Sequence, residues 1–343
     1  AHTMHFSKKP LFAAVTTALV SLSYGGGALA QDGSQAQLEE VVVTGTRSMK
    51  PRTVSDSPVP VDVLNSEEFN SLGNTVDITD NLKALIPSYT ATPATGDGSA
   101  FIRPTSLRGM APDQTLILVN GKRRHRSALV QFFAPAAGNG AHGVDIGMIP
   151  SIGLKSVEVL RDGAAAQYGS DAIAGVMNFR MKDDREGGTV MVQYGEFFDG
   201  EESMKVAGNA GFGIGEEGFL NITGEYWDND GLSRGDQRPD AQGFIDAGNQ
   251  GVGSDAVFDD APLVQSWGRP ETEGYRLFFN SGFAVGDTSE LYLFGNYAET
   301  EGRYRFFYRS PDHSTLVKFR DEFGYDGPLN ESGYTPYLDG DQE

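Results

Sequence analysis

Four sets of residues in this chain have types and spacings that chemistry uses. Gly138-Asn139-Gly140-Ala141-His142-Gly143 matches G-x-G-x-x-G, the turn that lets a backbone approach a pyrophosphate. Such a site needs a buried strand before it, a helix after it and an acid about 20 residues on. Here a small-residue loop precedes it and Val144-Asp145-Ile146-Gly147 follows, so no dinucleotide cofactor is expected. Ser170-Asp171 has no histidine near it in sequence, which leaves hydrolase chemistry without a base. The histidines (His2, His5, His125, His142, His313) are scattered without the paired spacing of a metal site. The aspartates between 228 and 260 lack the D-x-D-x-D-G-x₅-E spacing of a calcium loop and read as a solvated acidic loop. The expectation is a chain that is not an enzyme, with no cofactor and no metal.

Composition narrows the class further. Acids outnumber bases 47 to 27, a net charge of −20, whereas nucleic-acid binding needs a basic face. With no cysteine, neither a disulfide framework nor a thiolate metal site can form. Glycine at 44 residues and hydrophobics at only 39% suit a β protein with many turns. Beyond the N-terminus there is no apolar run of about 20 residues, the length a spanning helix requires.

The elements that would carry any function follow in chain order. Residues 1–3 read as upstream extras before Met4. Lys8 and Lys9, the apolar stretch 11–22 and Ala28-Leu29-Ala30 make up a secretory signal spanning 1–30, cut after Ala30. A linker, 31–57, is polar and proline-bearing except for Leu38-Glu39-Glu40-Val41-Val42-Val43-Thr44-Gly45. That short β-branched run reads either as the first strand of the next domain or as a strand offered to another protein's sheet edge.

From 58 to 184 helix and strand signals mix. Val59, Val61 and Val63 alternate as a strand, and Ser66 with Glu67 and Glu68 reads as the cap of a helix over 66–72. Thr79 or Asp80 opens a second helix with Leu82, Leu85 and Ile86 on one face, stopped by Pro87. Residues 115–119 read as a strand, Asn120-Gly121 as a two-residue hairpin and 122–126 (KRRHR) as the return strand. In an exported acidic protein that basic pentamer fits a hairpin surface or a salt-bridged lining. The stretch 149–182 reads as strand, turn, one helical turn, loop and strand, broken at Arg161-Asp162-Gly163 and punctuated by Gly169 and Gly175.

After 184 the period becomes 2. Val190, Val192 and Tyr194 share a face. Met204, Val206, Ala210, Phe212 and Ile214 alternate with Lys205, Ala207, Asn209, Gly211 and Gly213, and Leu220, Ile222 and Tyr226 with Asn221, Thr223 and Glu225. Leu277, Phe279, Phe283 and Val285, then Leu291, Leu293 and Tyr297, make two further stripes. Segments of about ten residues, apolar on one face and polar on the other, fit transmembrane barrel strands, and equally the strands of a soluble β-sandwich. Connection lengths favour the barrel: 215–218 and 286–289 are short, and the loop 228–273 is long, as for periplasmic turns and an extracellular loop. Tyr226, Trp227, Phe306, Phe307 and Tyr308 fall near the outer strand ends, as an aromatic girdle would.

Several of these motifs resemble one family, the TonB-dependent outer-membrane receptors. Residues 39–47 (EEVVVTGTR) resemble its TonB box, Leu107-Arg108-Gly109 its LRG element, and 157–163 (VEVLRDG) with 167–176 (QYGSDAIAGV) the end of its plug. The resemblance implies an α+β plug domain, 58–184, followed by antiparallel transmembrane β-barrel strands, 185–343. With five strands, and 303–309 as a candidate sixth, the barrel is incomplete against about 22 in plugged transporters. The chain is therefore expected to be an N-terminal fragment that alone neither inserts nor transports. The resemblance further implies active import of an extracellular small-molecule or oligosaccharide ligand (a ferric siderophore or cobalamin included) in the outer membrane of a Gram-negative bacterium. Partners would be TonB, energised through ExbB and ExbD and pairing with Glu39, Glu40, Val41, Val42, Val43, Thr44 and Gly45, together with outer-membrane lipid. Arg108 and Arg161 match plug arginines that pair with barrel glutamates. Apex-loop residues Gly96, Asp97, Phe101, Asp113, Gln114, Gln131, Phe132 and Phe133 either contact ligand or pack on the barrel. A secreted soluble α+β and β-sandwich binding module is the competing architecture. A signalling extension is discounted, because about seven residues between cleavage site and box cannot fold as a domain.

Overall fold

Alternation, buried apolar runs and turn chemistry divide the chain into two β architectures joined at residues 182–187. The computed structural model describes residues 42–43, 52–53, 61–71, 78–91, 98, 102–131, 138–161, 165–198, 200–246, 268–286, 289–305, 308–324 and 337–342. In chain order the strands begin with β1 (Val42–Val43), β2 (Arg52–Thr53) and β3 (Val61–Asn65), followed by helices α1 (Ser66–Ser71) and α2 (Ile78–Leu85). Next come β4 (Tyr89–Ala91), β5 (Thr105–Leu107), β6 (Thr115–Val119), β7 (Lys122–Arg123), β8 (Leu154–Leu160), the one-turn helix α3 (Ala165–Tyr168) and β9 (Gly175–Met181). The second architecture holds β10 (Gly188–Glu196), β11 (Glu202–Ile214), β12 (Gly218–Asn229), β13 (Leu232–Ser233), α4 (Pro239–Asp246), β14 (Gly268–Arg269), β15 (Glu271–Ala284), β16 (Glu290–Arg305), α5 (Ser314–Phe323) and β17 (Tyr337–Gln342).

The first architecture is a mixed five-stranded sheet in the order β3-β8-β9-β6-β7, in which β6 and β9 pair parallel. All five residues of β6 are buried, as expected of a strand covered on both faces. The pleat sorts its side chains into two cores. Ile117, Val119, Val157, Val159, Met177 and Phe179 pack with α2 on one face, and Leu116, Leu118, Leu160 and Val176 with Val61 on the other. The turn between β6 and β7 has φ +49° at Asn120 and +74° at Gly121, the left-handed pair that an Asn-Gly hairpin turn requires.

Three local expectations change here. The cap of α1 is Asn65, not Ser66: Asn65 Oδ1 accepts from the Glu68 N–H at 2.8 Å and Glu68 Oε2 accepts from the Asn65 N–H at 3.1 Å, a reciprocal capping box. The return strand after Asn120-Gly121 is two residues long; the Arg124 N–H still donates to the Ile117 carbonyl at 3.0 Å, while its guanidinium reaches the second architecture and donates to Asn296. The two valines of β1 are paired antiparallel with β2, Val42 opposite Thr53 and Val43 opposite Arg52, so this extended segment has a backbone partner on one edge.

The second architecture is one antiparallel six-stranded sheet, β10-β11-β12-β15-β16-β17. Its sixth strand is Tyr337–Gln342, not 303–309. Residues 303–305 are the end of β16, with Arg303 opposite Glu271 on one side and Asp339 on the other. The long connection after β12 starts at 230 and carries the β13·β14 ladder and α4. The alternation runs inside out for a water-soluble protein. Val190, Phe212, Ile222, Leu277 and Leu293 are exposed, whereas Lys205, Asn209, Asn221, Thr223, Glu225, Arg276 and Asn280 are buried against the first architecture. A sandwich buries its apolar face under a second sheet. This sheet buries its polar face, which overturns the soluble-sandwich expectation. Trp227, two residues from Glu225 and on the same face, points inward and is buried, so it is no girdle residue. Tyr226 faces outward, Tyr308 is buried beneath Arg238, and Phe306 and Phe307 lie outside the described residues.

Candidate functional site: a polar seam between plug sheet and wall

The buried face of the wall meets the α+β sheet along a seam of hydrogen bonds and charges. At its centre is Glu225 on β12. Its Oε2 accepts from Arg276 on the neighbouring β15 at 2.8 Å, and the two residues are direct cross-strand partners. Its Oε1 lies 3.5 Å from Lys205 Nζ on β11 and accepts from two groups of the other architecture, the Ser151 hydroxyl at 3.0 Å and the Ile152 N–H at 2.9 Å. The Ser151 hydroxyl oxygen also accepts from Lys205 at 2.8 Å. Lys205 and Glu225 are fully buried, and Arg276 is sandwiched between Glu225 and the ring of Trp227, 3.8 Å from its centroid. An acid with two bases, hydrogen-bonded and stacked, meets the condition under which buried charge is tolerated.

Other contacts extend the seam in both directions. Asn280 donates to the Lys182 carbonyl at 2.9 Å and accepts from Tyr292 at 2.7 Å and Asn120 at 3.3 Å. Gly153 passes so close to β12 that a Cβ there would sit 2.6 Å from Thr223 Oγ1. Phe278 carries the apolar core across the seam, stacked on Phe294 with centroids 6.1 Å apart. Where 182–187 turns into the wall, Arg185 donates to the carbonyls of Gly218 (3.1 Å) and Gly215 (3.0 Å), fixing the turn to the wall.

Two cavities open along the seam, and Asp145 lines both. One, of about 140 Å³, lies between Arg124, His125 and Met148 on one side and Asn296, Tyr297 and Ala298 on the other. The second, about 170 Å³, sits at the strand ends nearest the long loop and is lined by Lys83, Arg103, Trp227, Asp230, Arg269 and Arg276 among others. Its rim is closed by an ion pair from Arg269 to Asp80. Asp145 Oδ1 accepts from the N–H groups of Arg103 (3.1 Å) and Gly147 (2.8 Å). Burial pushes its carboxyl above the ordinary range, opposed by those two N–H groups and by the Arg276 and Arg103 charges. Burial, then the Arg124 charge, push the His125 imidazole below its ordinary value.

The sequence-derived site residues are placed as follows. Arg161 pairs with Asp62 on β3, and Arg108 donates to the Arg161 carbonyl from a left-handed conformation, φ +59°. Both partners belong to the first architecture, and the side chain of Arg161 is 43% exposed. Among the wall charges that reach across, Glu225 meets a hydroxyl and an N–H, partners that no charge pattern in the sequence signals. Gln131 is buried, with its N–H donating to the Ala141 carbonyl at 3.0 Å. Asp113 and Gln114 sit in the turn before β6, and neither lines a cavity described above. Gly96, Asp97, Phe101, Phe132 and Phe133 lie outside the described residues, as do Glu39, Glu40, Val41, Thr44 and Gly45.

Comparison with known proteins gives this geometry a context. Residues 53–176 match the family model of the TonB-dependent receptor plug domain. The iron-regulated outer membrane virulence protein of Vibrio cholerae is 31% identical over 183 residues, 53% of this chain and 25% of that protein. The vitamin B12 transporter BtuB of the same species is 29% identical over 218 residues, 63% of this chain and 31% of the transporter. The crystal structure of the siderophore receptor PirA from Acinetobacter baumannii aligns with a TM-score of 0.51 at 24% identity, covering 73% of this chain and 32% of that one, a likeness of fold. The matched stretches thus span about a quarter to a third of these relatives' lengths.

Proposed function

Because residues 53–176 match the plug-domain model and an antiparallel sheet follows them, we propose that the chain is the plug and first barrel strands of a TonB-dependent receptor, an active importer of the outer membrane. The observation that carries this reading is the inverted wall: Leu277 and Leu293 face outward while Glu225, Lys205 and Arg276 are buried against the plug. In hydrocarbon an exposed apolar face is at its lowest free energy, and a polar face must be covered or hydrated.

In this reading ligand is captured at the outward cavity and the apex loops, and TonB then adds a strand to 39–45, energised through ExbB and ExbD. Strand addition suits a pulling partner because several backbone hydrogen bonds share the load while sequence demands stay loose. Among the described residues β1 pairs with β2 alone, which leaves its other edge for that strand. The ligand class is drawn from the relatives: an iron complex, a ferric siderophore foremost, or cobalamin. Uptake by cells producing the protein at its natural length tests this, with labelled ferric siderophore, cobalamin and an oligosaccharide as separate arms. One arm is expected to show uptake that stops when the proton gradient is dissipated, while surface binding persists. Uptake indifferent to the gradient would overturn the reading.

A further inference from the structure

We propose that the outer hydrocarbon edge of the bilayer crosses this wall on an inclined line through Tyr194, Met204, Tyr226, Tyr275 and Tyr297, one residue on each of β10, β11, β12, β15 and β16. The proposal deepens the import reading and rests on its lipid-facing wall. All five residues have the parity of the outward face: their neighbours Lys205, Trp227, Arg276 and Ala298 are buried, and Tyr194 stands opposite Met204. On each strand the residue two positions nearer the long-loop end, on the same face, is an acid: Glu196, Glu202, Asp228, Glu273 and Glu299. The hydroxyls reach toward that line of acids. Tyr275 donates to Glu299 at 2.8 Å, Tyr297 donates to the same carboxylate at 3.4 Å, and Tyr194 is hydrogen-bonded to Glu202. A ring among apolar neighbours with its hydroxyl turned to polar groups is the side chain that settles where hydrocarbon meets water. On the other side of the line no outward-facing residue is charged from Met204 to Ile214 on β11 or from Tyr275 to Val285 on β15.

The line is not level within the sheet. Tyr194 shares a register row with Met204, Asp228, Glu273 and Glu301, so by β16 the line has fallen four residues, from Glu301 to Tyr297. Four residues are about 13 Å along a strand and four strand spacings about 19 Å across the sheet, a slope of about 35°. Strands of a transmembrane barrel are inclined by about 35–45°, and at that inclination the line lies level with the membrane plane. The ten uncharged residues of β11 or β15 then span about 27 Å of its thickness, against an apolar band about 25 Å tall. A surface facing water has no reason to shift its tyrosines and acids together by one residue per strand.

Strand register supplies the test. Val192 and Glu299 belong to one row, through Val206, Tyr226 and Tyr275, but the line passes two residues outside the first and two residues inside the second. Single nitroxides are placed at Val192 and at Glu299 of the full-length protein in outer membranes, and depth is read from collision with oxygen against a water-soluble nickel chelate. Val192 is expected to lie about 11 Å deeper than Glu299, the rise of four residues on an inclined strand. Met204 and Glu301, a second pair within one row, are expected to differ by the same depth, and labels there keep the Glu299 carboxylate in place. Equal depth within either pair overturns the inclined edge. Equal depth with both members shielded from nickel leaves the lipid-facing wall and the import reading standing, whereas nickel reaching both Val192 and Leu277 removes the wall as well. Uptake is measured on the unlabelled protein, so its loss bears on import and not on the edge.

Discussion

Replacing Gly153 by alanine is expected to loosen the plug by about 2–4 kcal/mol. The added Cβ would lie 2.6 Å from Thr223 Oγ1, 3.0 Å from Thr223 Cγ2 and 3.1 Å from Met181 Cε. The methionine can swing aside at little cost. The threonine cannot, because its Oγ1 accepts from Asn209 Nδ2 at 2.9 Å, and that amide is also bonded to Asn221 Oδ1 at 2.6 Å. Rotating Thr223 therefore forfeits a buried hydrogen bond, about 1 kcal/mol, on top of about 1–3 kcal/mol for an overpacked contact. Denaturant titration in detergent measures this, followed through Trp227, which lies on the same wall face. Adding Thr223→Ala removes both clashing atoms, so the double variant is expected to recover about 1–2 kcal/mol relative to the sum of the two singles. If Gly153→Ala unfolds with the wild-type midpoint, the plug does not seat against β12 as described.

Four further outcomes are expected. Glu225→Ala leaves Lys205 and Arg276 buried without their acid and is expected to cost about 3–5 kcal/mol in the same titration, with Glu225→Gln costing less because the amide oxygen still accepts from Ser151 and Ile152. The raised Asp145 carboxyl and lowered His125 imidazole act in opposite directions with pH. Asp145 contributes stability below its ordinary 3.8 that is lost as pH rises through its higher folded value, so Asp145→Asn is expected to be more stable than wild type at neutral pH. His125 contributes stability above 6.5 that is lost as pH falls through its lower folded value, so His125→Gln is expected to flatten that acid-side loss in pH-dependent melting. If 39–45 is the strand that TonB extends, as proposed, Val42→Pro removes an N–H from it and is expected to abolish uptake while ligand binding to cells is retained.

What the sequence made legible was whatever rests on local periodicity. The outward stripes of β10, β11 and β15 were readable because one apolar residue in two survives along each strand, and Asn120-Gly121 because that pair is among the few that adopt two left-handed residues cheaply. The strand β17 was not, because its sequence YLDGDQ has no alternation and its place comes from pairing with β16. Trp227 reads as a girdle residue from its place near an outer strand end, though its parity with Glu225 puts it on the inward face. The seam itself was beyond reach: Ser151 and Glu225 are 74 residues apart, and a hydroxyl meeting a carboxylate leaves no pattern along the chain. Arg108 and Arg161 stand out by their match to the family's plug arginines, and here they bond to the Arg161 carbonyl and to Asp62 within the plug.

The most direct test of the account places a single nitroxide at Leu277 and measures collision with dissolved oxygen against a water-soluble nickel chelate in outer membranes. Leu277 is expected to meet oxygen and exclude nickel, as a lipid-facing side chain does. Nickel reaching Leu277 while the plug is seated would contradict the lipid-facing wall on which the rest depends.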